Sequence, residues 1–89
     1  MENEAFENIE VIAYFRDLNI RVLRFKWKET VYDVSRLNSK WKVPVGEFCE
    51  YHFSIVCGKQ KMICELSYNL NDFRWQLVQW ETYDWARSI

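Results

Sequence analysis

Residues 20–42, IRVLRFKWKETVYDVSRLNSKWK, decide the fold, because their large apolar side chains recur at every second position on both sides of a short polar break. A period of two places alternate residues on opposite faces of an extended chain, so the stretch predicts a β-hairpin. With Glu29-Thr30 as the turn, Trp27 stands opposite Tyr32 and Phe25 opposite Val34 on one face, while Lys26 meets Asp33 on the other. A slip of one residue would turn both aromatic pairs towards water. Glu29-Thr30 lacks the Gly or Asn that two-residue turns favour, and a four-residue loop from Lys28 to Val31 keeps the same pairing.

The same period extends outwards to six candidate strands. Residues 9–15 place Ile9, Val11, Ala13 and Phe15 on one face, and residues 20–28 turn Leu23, Phe25 and Trp27 inwards with Arg24, Lys26 and Lys28 outwards. A third strand spans 31–37. The pattern then breaks at Asn38-Ser39, and Val43-Pro44-Val45-Gly46 reads as a loop or bend, since Pro cannot donate to a ladder. Residues 48–57 alternate Cys49, Tyr51, Phe53, Ile55 and Cys57 with Glu50, His52 and Ser54; Gly58-Lys59-Gln60 turns the chain into 61–68, with Met62, Cys64, Leu66 and Tyr68 on one side. Asn69-Leu70-Asn71-Asp72 is a second turn, rich in side chains that bond their own backbone. The last strand, 73–81, is apolar on both faces, with Phe73, Trp75 and Leu77 on one and Val78 and Trp80 on the other, which asks for a cover from Tyr83, Trp85 and Ile89, from Phe6, or from a partner subunit.

Short turns between consecutive strands make antiparallel neighbours the simplest arrangement. The fold class is therefore mainly β: one small domain of about six antiparallel strands in a strongly bent meander or small barrel, with room for a short helix near a terminus. At 89 residues the chain is one domain, 1–89, whose acidic residues 1–7 fray and whose residues 82–89 form a tail on the sheet or on a partner. The expected core is Phe25, Trp27, Tyr32, Val34, Tyr51, Phe53, Ile55, Leu66, Trp75 and Leu77. With 18% aromatic residues, each burying about 150–250 Å², such a core needs no staple.

Charge is unevenly spread beneath a net of −1. Residues 1–15 hold four Glu and no base, 16–42 hold eight Lys or Arg against Asp17, Glu29 and Asp33, and 43–89 are mildly acidic. The acidic start does not resemble a targeting presequence and no apolar run approaches a membrane span, so the expected location is cytoplasmic, with no membrane partner. Cys49, Cys57 and Cys64 form no C-x-x-C pair, and the register that puts Met62 opposite Cys57 leaves Cys57 and Cys64 diagonal, about 7–8 Å apart. Neither a disulfide framework, a metal nor a cofactor is expected.

No catalytic residue is expected either. His52, the sole histidine, falls at an outward, solvated position; Ser54 and Glu50 share its face without supplying a nucleophile and an oriented base. Two non-catalytic readings remain. An accessory or protein-interaction module, binding a partner or a second copy as a homodimer, would use Trp80, Tyr83 and Trp85, residue types that carry interface energy. A nucleic-acid-binding barrel would use Arg24, Lys26, Lys28, Arg36, Lys40, Trp41 and Lys42, charge for phosphates and a ring for a base. Against the second stands the ordinary use of Lys and Arg to solubilise a sheet face and blunt its edges, in a chain without overall basic excess.

The spacing Phe25-x-Trp27, Tyr32-x-Val34, then Trp41, resembles a bacterial family of small uncharacterised domains with the pattern F-x-W-R-G-x-x-Y-x-V followed by Trp. The resemblance extends to Ile9-x-Val11, Glu65-Leu66 and Trp75-x-Leu77, covering residues 9–81. Two departures stand out: Lys28-Glu29 replaces the family's Arg-Gly, and Val43-Pro44-Val45-Gly46 has no counterpart. The family has no assigned function. Some relatives are encoded beside error-prone DNA polymerases, so the resemblance implies a fold and an accessory role in DNA repair, and no catalytic site.

Overall fold

The computed structural model describes residues 3–17 and 19–83. In chain order the strands are β1 (Asn3–Asn8), β2 (Glu10–Arg16), β3 (Asn19–Trp27), β4 (Thr30–Asp33), β5 (Arg36–Val45), β6 (Phe48–Cys57), β7 (Met62–Asn69) and β8 (Arg74–Thr82). There are thus eight strands instead of six, all pairs are antiparallel, and no helix forms among the described residues. They build a five-stranded sheet, β1-β8-β7-β6-β5, and a three-stranded sheet, β2-β3-β4. The sheets do not close into a barrel. The chain passes between them at two corners, where the Ile9 amide donates to the Trp75 carbonyl (3.2 Å) and the Ser35 amide to the Val56 carbonyl (2.7 Å).

The two extra strands arise at those corners. The acidic N-terminal segment, expected to fray, supplies β1, which pairs along β8 from Asn3↔Trp80 to Asn8↔Gln76. The expected third strand divides at Val34-Ser35 into β4 and the start of β5. β5 then runs through Pro44 to Val45, where a loop was expected; β5 is an edge strand, and a missing amide hydrogen costs nothing on the solvent side of an edge. The expected tail beyond Tyr83 lies outside the described residues.

The 20–42 hairpin forms with its turn one position earlier. Lys28 and Glu29 are the turn residues, both at positive φ (50° and 65°), the signature of a twisted two-residue hairpin turn. Phe25 therefore faces Tyr32, Trp27 faces Thr30, and Arg24, not Lys26, faces Asp33. Moving the pairing by two keeps every residue on its expected face. Phe25 and Tyr32 stack at 5.0 Å, and Trp27 lies 5.6 Å from Trp80 of the other sheet.

Four pairings carry a bulge, the β1–β8 one between Glu4 and Glu7, and the other three rearrange faces expected from alternation. Ile12 pairs with Arg24 but Ala13 with Val22, so Leu23 is an extra residue; Val22 takes the buried position and Leu23, expected inwards, is 39% exposed. Leu37 and Ser39 pair with consecutive residues of β6, which makes Asn38 the bulge where the sequence pattern broke. In β8, Leu77 pairs with Leu66 and Gln79 with Glu65, so Val78 is extra and Trp80 returns to the face of Leu77. The two-sided apolarity of this strand is thus a bulge and needs no cover; Phe73 lies in the turn before it, exposed.

Phe25, Trp27, Tyr32, Phe53, Ile55, Leu66 and Leu77 are buried between the sheets, with Val22, Cys57, Met62 and Cys64; Val34, Tyr51 and Trp75 are half-buried at its margin. Gly58 fixes one corner, its amide donating to Ser35 Oγ (2.8 Å), an atom that a Cβ at this position would meet at 2.9 Å.

Candidate nucleic-acid interface

The outer face of the three-stranded sheet gathers the densest positive charge. Outward residues of β2 (Glu10, Ile12, Tyr14, Arg16) lie opposite Lys26, Arg24, Arg21 and Asn19 of β3, and Lys26 lies opposite Val31 of β4. The Leu23 bulge makes this possible, because it places Arg21 and Arg24, three apart in sequence, on one face. Ile12 (57% exposed) and Tyr14 (54%) on β2, and Val31 (49%) on β4, flank the cations of the central strand. Arg24 Nε meets Asp33 Oδ1 at 3.3 Å and Lys26 Nζ meets Glu29 Oε2 at 3.6 Å. All four side chains are substantially exposed, so water screens these pairs and leaves the cations able to exchange partners.

Of the residues singled out in the sequence, only Arg24 and Lys26 occupy this face. Lys28 sits in the turn with its ammonium 5.0 Å from the Trp27 ring. Arg36, Lys40, Trp41 and Lys42 belong to β5, at the edge of the other sheet. There, Lys40 and Lys42 lie opposite Phe53 and Tyr51, on the core-facing side, whereas Trp41 lies opposite His52 on the outer side. The ring and the two ammonium groups therefore point to opposite faces of the sheet, and the expected combination of Trp41 with its flanking lysines is not assembled.

Ile12, Tyr14, Arg16 and Arg21 are the residues that sequence reading passed over. Alternation in the first strand already turns Ile12 and Tyr14 outwards. Arg21 carries no such signal, since strict alternation from Phe25 and Trp27 sends it inwards until the bulge is known.

His52 occupies a quite different environment from the solvated one expected. It is 8% exposed, stacked beneath Trp41 (5.7 Å, 28°), because the bulky edge-strand partner folds over its cross-strand neighbour. Its Nδ1 is 2.7 Å from Glu65 Oε2 and its Nε2 3.1 Å from Glu50 Oε1. The second carboxylate oxygens are also bonded, Glu65 Oε1 accepting from Gln79 Nε2 (2.9 Å) and Glu50 Oε2 from Asn69 Nδ2 (3.2 Å). A carboxylate accepts only, so both contacts form together when both ring nitrogens carry hydrogen. Ser54 is itself bonded by Asn38 Nδ2 at 3.4 Å, and the geometry describes a clamp across β6 and β7.

Of the expected interface residues, Trp80 packs against Trp27, and Tyr83 is half-buried with its amide donating to the Lys61 carbonyl (3.0 Å); Trp85 lies outside the described residues. All three cysteines are free thiols. Cys57 and Cys64 take the expected diagonal register, opposite Met62 and Ile55. A hydrogen bond from the Cys64 thiol pulls Cys57 below the ordinary thiol range, and that same bond, with burial, pushes Cys64 up. Among the described residues no group of three metal-ligating side chains converges, and no helix is long and apolar enough to cross a membrane. No family model, curated protein or solved structure matches the chain.

Proposed function

We propose that the protein is a non-catalytic accessory module that binds single-stranded nucleic acid on the outer face of β2-β3-β4. The observation that carries this reading is Tyr14, exposed and set among Arg16, Arg21, Arg24 and Lys26 on one three-stranded surface. Guanidinium and ammonium groups neutralise phosphates, and a tyrosine ring accepts a stacked base without regard to its identity. Glu4, Glu50, Glu65 and Glu81 outnumber Arg36 and Arg74 on the outer face of the five-stranded sheet, which favours approach of a polyanion to the opposite side. Three free thiols suit a reducing compartment such as the cytoplasm, and the resemblance to domains encoded beside error-prone polymerases suits a role in DNA repair.

Anisotropy of a labelled oligothymidylate tests it. Engaging three or four phosphates gives a slope of about −2 to −3 for log affinity against log salt, and Arg21→Glu or Arg24→Glu weakens binding by about tenfold or more. Tyr14→Ala lowers affinity by about 1–3 kcal/mol with the salt slope unchanged. Absence of binding at low salt refutes the reading.

The exposure of Ile12 and Tyr14 on one side of the central cations and of Val31 on the other favours a second reading, in which an acidic protein, or the acidic face of a second copy, docks on the same surface. Sedimentation at two protein concentrations separates self-association from a monomer, and Ile12→Ser with Val31→Ser abolishes protein docking while sparing phosphate contacts.

A further inference from the structure

A second candidate site lies on the other side of β5. A groove of about 330 Å³ opens there, lined by Ile20, Tyr51 and Phe53 with Lys40, Trp41 and Lys42 of β5 along its edge. Its volume falls at the lower end of small-molecule sites, roughly 300–1,000 Å³. The floor is rigid: Phe53 is buried and packs on Trp75 (5.6 Å), which in turn packs on Tyr68 (4.6 Å). The rim is cationic at positions where period-two alternation calls for apolar residues, since Lys40 and Lys42 lie opposite Phe53 and Tyr51. The Lys42 ammonium stands 5.6 Å from the centre of the Tyr51 ring, and Lys40 donates a long bond of 3.4 Å to Asn19 Oδ1, both water-accessible and exchangeable contacts.

We infer that this groove binds a planar aromatic ring bearing an anionic group, the chemistry of a nucleoside monophosphate, with the ring against Tyr51 and Phe53 and the phosphate between Lys40 and Lys42. Aromatic walls select a flat π-system by offset or edge contacts, and two ammonium groups favour a doubly charged anion. The inference is independent of the proposal for the three-stranded face, because none of its residues belongs to that surface. The phosphate source is a free nucleotide or the terminal nucleotide of a strand.

Isothermal titration with adenosine 5′-monophosphate, adenosine and inorganic phosphate tests it on the full chain. The expected result is saturable binding of the monophosphate, with adenosine and phosphate each about tenfold or more weaker, since the site needs both halves. Lys40→Glu and Lys42→Glu remove the binding, Lys42→Met weakens it, and Lys59→Glu, in the exposed turn after β6, leaves it intact. Competition by a 5′-phosphorylated oligonucleotide but not its unphosphorylated form assigns the site to strand ends; competition by neither assigns it to free nucleotide. No heat with the monophosphate at millimolar concentration, or binding unaffected by both lysine reversals in proteins of unchanged melting temperature, overturns the inference and leaves the lysines as guards against edge pairing.

Discussion

Single residues hold two kinds of stored cost. Lys28 and Glu29 both adopt positive φ, a conformation that costs an L-residue about 1–2 kcal/mol and a glycine almost nothing sterically. Glu29→Gly should therefore stabilise the protein by roughly 0.5–1 kcal/mol after the entropy of glycine is discounted, a rise of a few degrees in Tm. The ion pair it removes is solvent-exposed and offsets little; a fall in Tm would show that the turn is not strained. His52 is the opposite case. His52→Ala leaves Glu50 and Glu65 facing each other, half-buried and without their shared hydrogen-bond partner, and should cost about 2–3 kcal/mol in urea denaturation. A loss under about 1 kcal/mol would mean that water replaces the imidazole without difficulty.

At the level of strands, the bulges decide what the sequence made legible. The 20–42 hairpin was readable because Phe25, Trp27 and Tyr32 share a face in any even register, so misplacing the turn by one position did no harm. β8 was misread because Val78 is an uncounted residue: with strict alternation Leu77 and Trp80 fall on opposite faces, whereas the structure puts both towards the core. Deleting Val78 leaves Leu77 and Trp80 two apart in regular alternation, so it should keep both towards the core and preserve the near-ultraviolet circular dichroism, while Val78→Ala costs about 1 kcal/mol or less. Loss of that signal on deletion would mean that Val78 is not the extra residue of this pairing. β1 was illegible for another reason, since NEAFEN offers only Ala5 to the core and gains its place through pairing with a strand seventy residues away. The candidate interface was half-legible in the same way: Arg24 and Lys26 follow from local alternation, but Tyr14, Arg16 and Arg21 join them only through the β2–β3 pairing and its bulge. Pairing between distant segments leaves no periodic trace in either one.

Across the whole molecule, stability rests on two sheets of unequal size that share one aromatic layer and, among the described residues, bond through backbone at the corners near Ile9 and Ser35. Cys57 and Cys64 lie within that layer and report its opening. Cys49, half-buried at the start of β6, should react with a thiol reagent in the folded protein, whereas Cys57 and Cys64 react only when the sheets part. For Cys64 the raised pKa adds to this protection, keeping the thiol protonated and unreactive at neutral pH. Labelling of both at the rate of global unfolding is the expected result, followed by mass spectrometry; faster labelling of either would reveal a sub-global opening. The contact between Trp27 and Trp80 has an optical consequence. Two indoles 5.6 Å apart, one contributed by each layer, share their electronic excitation, so the pair produces an exciton couplet that vanishes on separation and makes the native chain its own spectroscopic gauge of that distance.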